Sequence, residues 1–506
     1  MISLMKKRFN ITRHLTACLL ATVVAAAGVS NLSAAKQPNI IIFLADDLGY
    51  GDLGCYGHPI IQTPHMDQLA NEGVRLTDCH SGGTVCSPSR ASLLTGRAPY
   101  RTGFYYIAGA GGCHLRASEV TLPSLLKTKG YDTCFVGKWH LGKFKAHPDP
   151  KAHGFDHWYA TEVNAFDGPE SPEKFVRNGE AVGEVNEWYC DSIVREAIEW
   201  MEKRPDQSKP YLLVVSFHEP HTPIAPPEKY LKMYDNKLVH DLEKGIAYGE
   251  VYRPLDRDIS PNKKYYYGTV TQMDDAVGRL MKAADSEGKE DNVVILTSDN
   301  GPETPVTFQE SGGQWKDPIR DMCFGTPGPW RGMKRYVYEG GHRVPGIVRW
   351  SGVVPAGSIS TQLVNGTDWM PTICKTLGIE VPSDRTIDGV DIRAALNNTP
   401  VKRPIPASWT FPVHLDAKHT PGMSMRDGNY ALLGWFESPE KVQNRSAWVH
   451  SAKLVSFKLY DITADRSQAN PLNERRPKEF ERLKKQMIEL WAGIQKDAPD
   501  WRKKEP

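Results

Sequence analysis

Asn39-Ile40-Ile41-Ile42-Phe43-Leu44, with Asp46-Asp47 just beyond it, decides how this chain is read. Five large apolar side chains in succession, without polar alternation, describe a strand covered on both faces, as in a parallel sheet. The same plan recurs. Thr133–Gly137 leads into Lys138-Trp139-His140, Tyr211–Phe217 into His218 and His221, and Asn292–Ser298 into Asp299-Asn300. Between the runs lie helical patterns with readable ends: Thr63-Pro64 to Gly73, Thr121 to Gly130, Glu187–Lys203 and Lys263–Ala284. This alternation predicts an α/β fold, a mostly parallel sheet covered by helices. Ligands of such sheets bind beyond the carboxyl ends of the strands, so the four polar segments should converge on one crevice.

Singly, Asp46-Asp47 and Asp299-Asn300-Gly301 are ordinary turn residues. Together they offer three carboxylates and one amide oxygen, a set that suits calcium, or magnesium as a weaker fit. The Gly- and Pro-rich stretch 301–329 reads as a long loop near the site.

A fifth segment adds a thiol. In Cys86-Ser87-Pro88-Ser89-Arg90, followed by Leu93-Leu94-Thr95-Gly96-Arg97, Ser87 suits a helix N-cap, Pro88 the first turn and Gly96 the position past the end. The helix dipole and Arg90 would then both face residue 86, a place that favours anions. A buried structural cysteine is the plain alternative.

The whole string resembles the signature of the type I sulfatases, in which this cysteine is oxidised to formylglycine and the hydrated aldehyde is the nucleophile. The resemblance implies a maturation enzyme that reads the unfolded Cys-x-Pro-x-Arg segment. It also implies one calcium ion on Asp46, Asp47, Asp299 and Asn300, with residue 86 as a further ligand. Gly137-Lys138-Trp139-His140-Leu141-Gly142 extends it, with Lys138 binding sulfate and His140 acting on the gem-diol; alternate positions should put both side chains on one side. In His218-Glu219-Pro220-His221-Thr222-Pro223 the prolines exclude a helix that would pair the histidines on a metal. The resemblance gives His221 the sulfate and the leaving oxygen, and leaves His218 a structural role. Trp330-Arg331-Gly332-Met333-Lys334, with Glu339-Gly340-Gly341-His342-Arg343, assigns Lys334 to sulfate and leaving group, and Asn164 is aligned as a further sulfate contact. The fold implied is a large mixed, mostly parallel sheet sandwiched by helices, of the alkaline-phosphatase type, with a small C-terminal antiparallel α+β subdomain.

The implied enzyme is a sulfuric ester hydrolase closest to the arylsulfatase A and N-acetylgalactosamine-6-sulfatase branch, acting on sulfated saccharides or other sulfate esters. Two other readings compete. A zinc phosphatase or phosphodiesterase of the same superfamily would use Ser or Thr and histidines around two zinc ions, whereas here the last strand ends in Asp-Asn. A non-catalytic glycan-binding protein would have no use for Lys138, His140, His221 and Lys334 as proton-transfer groups.

With 506 residues, 40% hydrophobic and 24% charged, the chain can bury a large core. Residues 1–35 read as a signal peptide: Lys6, Lys7, Arg8 and Arg13 precede an apolar run from Leu15 to Val29, and Ser33-Ala34-Ala35 offers a cleavage point. Export to the periplasm or the outside follows, and the run is short for a membrane span. Leu15-Thr16-Ala17-Cys18 lacks the preceding apolar run of a lipoprotein box. Removing the segment turns the formal charge of +2 negative, which argues against a general nucleic-acid partner. Cys55, Cys79, Cys113, Cys134, Cys190, Cys323 and Cys374 remain, an odd number with no spacing that fixes disulfides. A catalytic domain is expected over 36–393 and a C-terminal subdomain over 394–506, where Gly428–Trp435 and Ser456–Asp461 read as strands and Pro477–Ile494 as an amphipathic helix.

Overall fold

A computed structural model describes residues 37–235, 260–286, 288, 291–303, 323–413, 421–437 and 445–501. The expected signal peptide and most of the 301–329 loop lie outside them. The described residues form sixteen strands, in chain order β1 (Asn39–Ala45), β2 (Val74–Leu76), β3 (Cys79–His80), β4 (Asp132–Lys138), β5 (His157–Thr161), β6 (Val176–Arg177), β7 (Glu180–Ala181), β8 (Tyr211–Ser216), β9 (Asn292–Ser298), β10 (Gly346–Trp350), β11 (Ser358–Ser360), β12 (Val364–Asn365), β13 (Ser408–Phe411), β14 (Gly422–Asp427), β15 (Tyr430–Phe436) and β16 (Leu454–Asp461). Ten of them make one sheet in the order β11-β2-β10-β9-β1-β8-β4-β5-β6-β7. Its centre, β9-β1-β8-β4-β5, is parallel throughout.

Strand β1 is buried on both faces because its side chains alternate into two cores. Ile40, Ile42 and Leu44 enter one with Leu93, Leu94, Phe411 and Trp491; Ile41, Phe43 and Ala45 enter the other with Leu69, Ile193, Val194 and Tyr267. The first core lies under the Cys86–Thr95 helix and the C-terminal sheet, the second under the helices Pro64–Glu72, Tyr189–Lys203 and Ser260–Ser286. Each buried Ile, Leu, Val or Phe among them contributes about 1.5–3 kcal/mol by leaving water. Among the described residues no helix is long and apolar enough to cross a membrane, and the eight described cysteines are free thiols.

The second sheet is an antiparallel meander, β13-β14-β15-β16. Against it lies the helix Pro477–Asp497, which buries Leu483, Met487, Trp491 and Ile494 on one stripe. The expected strand start at Gly428 is corrected to Tyr430: Asp427 pairs with Tyr430, and Gly428 turns the hairpin at φ 55°, a backbone that glycine adopts without strain.

A buried charge cluster ties this sheet to the main body. Asp78 Oδ1 meets His80 Nε2 at 2.7 Å and Arg343 at 2.6 Å, and its Oδ2 accepts from Arg426 at 3.1 Å. Glu339 accepts from Arg343 at 2.8 Å and Arg426 at 3.2 Å, while His342 stacks on Trp409 at 3.9 Å. Burial would raise both carboxyls, but the arginines hold Asp78 well below its ordinary range and Glu339 at about 2.

Candidate active site

Because β1, β9, β8, β4 and β5 are parallel, the residues past their carboxyl ends meet at one edge of the sheet. Strand β1 delivers Asp46 and Asp47, β9 delivers Asp299 and Asn300, β8 leads to His218 and His221, β4 ends in Lys138 ahead of His140, and β5 leads to Asn164. All nine are buried. Cys86 comes from the other side as the first residue of its helix, 2% exposed, with Sγ 3.5 Å from Asp46 Oδ1.

The cap expectation needs correction. Val85, extended, precedes the helix, and Ser87 lies inside it, where its Oγ accepts from the Ala108 N–H at 2.9 Å and tethers the following loop. Gly96 closes the helix in the left-handed region as expected. Arg90 binds the helix to the strand ends: Nε and Nη2 donate to Asp299 Oδ2 at 3.0 and 2.7 Å, and Nη1 donates to the Lys138 carbonyl at 2.9 Å and to Ser216 Oγ.

Lys138 pairs with Asp46, and Lys334 Nζ lies 2.8 Å from Asp47 Oδ2 and 3.4 Å from Glu303. Two glycine contacts fix the loop that carries Lys334. A Cβ on Gly301 would lie 1.9 Å from the Gly340 carbonyl oxygen, and one on Gly341 1.9 Å from that of Tyr336, so this backbone can approach the Asn300 turn only without side chains. Glu303 and Arg335, which pair with each other, were not singled out from the sequence. Glu303 sits in a stretch whose glycines and prolines announce a loop and mask a buried carboxylate.

The backbone stores strain at this place. Of the six non-glycine residues with positive φ among the described residues, three are Asp47, His140 and Arg335. His140 therefore does not continue the alternation of β4. The strand ends at Lys138 and the chain turns left-handed at His140, held by Trp139 and His140 N–H groups donating to the Thr161 and Glu162 carbonyls at 2.9 and 3.0 Å.

His221 Nδ1 donates to the Thr222 carbonyl at 2.6 Å, which leaves Nε2 facing Asp47 Oδ2 at 3.6 Å. His218 Nε2 donates to the Pro223 carbonyl at 3.1 Å, so its Nδ1 accepts from Asn164 Nδ2 at 3.1 Å; the same amide donates to Asp46 Oδ2 at 2.9 Å. His218 thereby orients Asn164. Burial, then Lys334, pushes His221 well below the ordinary imidazole range, and burial, then Lys138, does the same to His140.

The carboxylates are crowded. Burial together with Asp46 pushes Asp47 to about 6 and Asp299 to about 7, while Lys138 and His221 outweigh burial at Asp46 and hold it well below the carboxylate range. Burial pushes the Cys86 thiol up to about 12. Asn300 Nδ2 donates to Asp47 Oδ1 at 2.6 Å, but its Oδ1, buried among these carboxylates, has no hydrogen-bond partner among the described residues. Oxygen donors with one acceptor unused fit a hard cation. Asp46, Asp47, Cys86 and His221 each place one donor atom within 4.8 Å of the others, so His221 stands closer to this group than the sequence suggested.

The chain as a whole is similar to known proteins. The Sulfatase family matches residues 38–379. N-acetylgalactosamine-6-sulfatase of Sus scrofa is 32% identical over 412 residues, covering 76% of this chain and 71% of that protein. Arylsulfatase G of Mus musculus is 30% identical over 415 residues, covering 73% and 70%. Among solved structures, Ps i-CgsB superimposes with a TM-score of 0.72 at 24% identity, covering 91% of this chain and 93% of that one.

Proposed function

Because the chain belongs to the sulfatase family and is a sulfuric ester hydrolase, we propose that it cleaves sulfate esters of carbohydrates after export, with residue 86, oxidised from cysteine to formylglycine by a maturation enzyme, as its nucleophile. The observation that carries this reading is Cys86 itself, the first residue of a buried helix inside Cys-Ser-Pro-Ser-Arg, with its sulfur turned to Asp46. The carbohydrate class is supported by the relative whose name specifies a sulfated hexosamine.

Calcium, or magnesium, would be held by Asp46, Asp47, Asp299, Asn300 and residue 86, and when bound would polarise a sulfate oxygen. A hydrated aldehyde at residue 86 would supply one hydroxyl to attack sulfur and a second whose ionisation expels sulfate. The other side chains divide the remaining work. Arg90, anchored on Asp299, Ser216 and the Lys138 carbonyl, fixes residue 86 and favours its anionic form. Lys138 and Lys334 would exchange their carboxylate partners for sulfate oxygens, and Asn164, oriented by His218, would turn the amide hydrogen now on Asp46 to sulfate in the same way. His221, with its Nδ1–H committed to Thr222, would first take up a second proton at Nε2, which faces Asp47, and then pass it to the departing alcohol oxygen, aided by Lys334. His140, whose buried Nδ1 has no hydrogen-bond partner among the described residues, takes the proton of the second hydroxyl.

Peptide mass spectrometry on protein from a host with a maturation system should find an aldehyde at residue 86 in place of the thiol. An active enzyme carrying only unmodified Cys86 would sink the mechanism. Turnover of a panel of monosulfated saccharides tests the substrate class.

A further inference from the structure

Phe166 is 55% exposed and Val163 36%, an apolar pair on the loop that carries the buried Asn164. Single exposed apolar residues are ordinary on a surface. Phe166 differs in its place and in how firmly it is held. Its ring stands edge-on to His221, with centroids 6.3 Å apart at 75°, and His221 Nε2 in turn faces Asp47. The backbone beneath it is fastened at both sides: Phe166 N–H donates to the Asn164 carbonyl at 2.9 Å, Gly168 N–H to the Ala165 carbonyl at 3.0 Å, and the Asn164 amide is pinned to Asp46 and His218. An exposed phenyl ring is thus held on a fixed turn, beside the histidine on the leaving-group side of the reaction.

We propose that Phe166 is a specificity-determining platform on which the sugar ring of the substrate lays its C–H face, with Val163 extending the apolar contact. This rests on the reading of the substrate as a sulfated saccharide. A pyranose offers such a face, and aromatic residues beside a few fixed polar groups are the usual lining of a small-ligand site. Sulfate itself, held by Lys138, Lys334 and the carboxylate-bound cation, would not touch the ring. The contact forms equally in the bound substrate and the transition state, so it acts on KM and leaves kcat almost alone.

The experiment compares the wild-type enzyme with Phe166→Ala and Phe166→Trp on whichever monosulfated hexose or hexosamine the wild type cleaves, with inorganic sulfate as competitive inhibitor. Phe166→Ala should raise KM about 5- to 10-fold, the scale of one aromatic contact, with kcat within about twofold. Phe166→Trp should restore KM, and the inhibition constant of sulfate should stay within about twofold in both variants. An unchanged saccharide KM in Phe166→Ala overturns the platform. A parallel rise in the sulfate inhibition constant overturns it too, because it would show that the variant disturbs His221 instead. A wild type that cleaves aryl sulfates and no saccharide sulfate removes the substrate reading, and the platform with it, and this outcome is told apart by the wild type alone.

Discussion

Two buried charge clusters in this protein use the same residue types to opposite ends. In the cluster of Asp78, His80, Glu339, Arg343 and Arg426, all four carboxylate oxygens are held by arginine or histidine, and both carboxyls are pulled below their ordinary range. In the cluster of Asp46, Asp47, Asp299, Arg90, Lys138 and Lys334, two carboxyls are pushed up, an amide oxygen and an imidazole nitrogen have no hydrogen-bond partner among the described residues, and the backbone is strained. In the first every carboxylate oxygen is paired, although Arg426 Nε has no hydrogen-bond partner among the described residues, and the cluster joins two sheets; in the second, acceptors are buried without being satisfied. Burial of unsatisfied polar groups is costly, and a fold keeps them where a cation and a substrate complete them.

The contrast is broken most sharply by exchanging phenotypes. Cys86→Ala should lower turnover by more than about 10⁴-fold, as loss of a nucleophile does, while thermal unfolding stays within a few degrees of wild type. Chelation should come next in effect: removal of the cation leaves three crowded carboxylates, so activity should vanish and the melting temperature fall. Calcium or magnesium should restore both, and a requirement for zinc would point instead to the phosphatase alternative. His221→Ala should lower saccharide-sulfate turnover by about 10²–10⁴-fold and nitrophenyl-sulfate turnover far less, since a nitrophenolate leaves without a proton. Equal losses would pass the acid role to Lys334.

In the cluster that joins the sheets, Glu339→Gln leaves two arginines buried with one charged partner fewer. It should cost about 3–5 kcal/mol in denaturant unfolding, with kcat per folded molecule preserved. A pH-dependent effect concerns Glu219, whose Oε1 accepts from the Cys190 N–H at 3.1 Å while its Oε2 is buried with no hydrogen-bond partner among the described residues. Burial raises this carboxyl to about 8 from an ordinary value near 4.5. Its neutral form is therefore the one the fold favours, and the stability that this form contributes is complete below the ordinary value and lost as pH rises toward 8. Glu219→Gln keeps the neutral form at every pH. In denaturant unfolding it should match wild type near pH 4.5 and be more stable above pH 8 by about 4–5 kcal/mol.

Much of the architecture was legible because the central strands are covered on both faces. Asn39–Leu44 and Asn292–Ser298 are apolar runs that could be little else, and polar residues just beyond such runs mark the carboxyl edge. What escaped reading depends on contacts made elsewhere. Strand β10 enters the sheet antiparallel beside β9, and no local signal separates it from a parallel neighbour. Ser87 has the right chemistry for a cap, yet its hydroxyl is claimed by the loop at Ala108. His140 reads as the next alternate residue, but tertiary hydrogen bonds turn the chain there. Cys79, Cys113, Cys134 and Cys190 are buried apart as small apolar residues, a role that spacing alone could not separate from disulfide pairing.

The burial of the Cys86–Thr95 helix sets a clock. All ten of its residues are enclosed, so in the finished molecule no second protein can reach the sulfur of Cys86. The oxidation proposed for Cys86 must therefore outrun closure of the sheet, and a chain that folds first is sealed as an inert copy of the same shape. Specific activity of a purified batch would then record how that race was run during synthesis. Slowing the folding or enriching the maturation enzyme would raise it, and no treatment of the folded protein could.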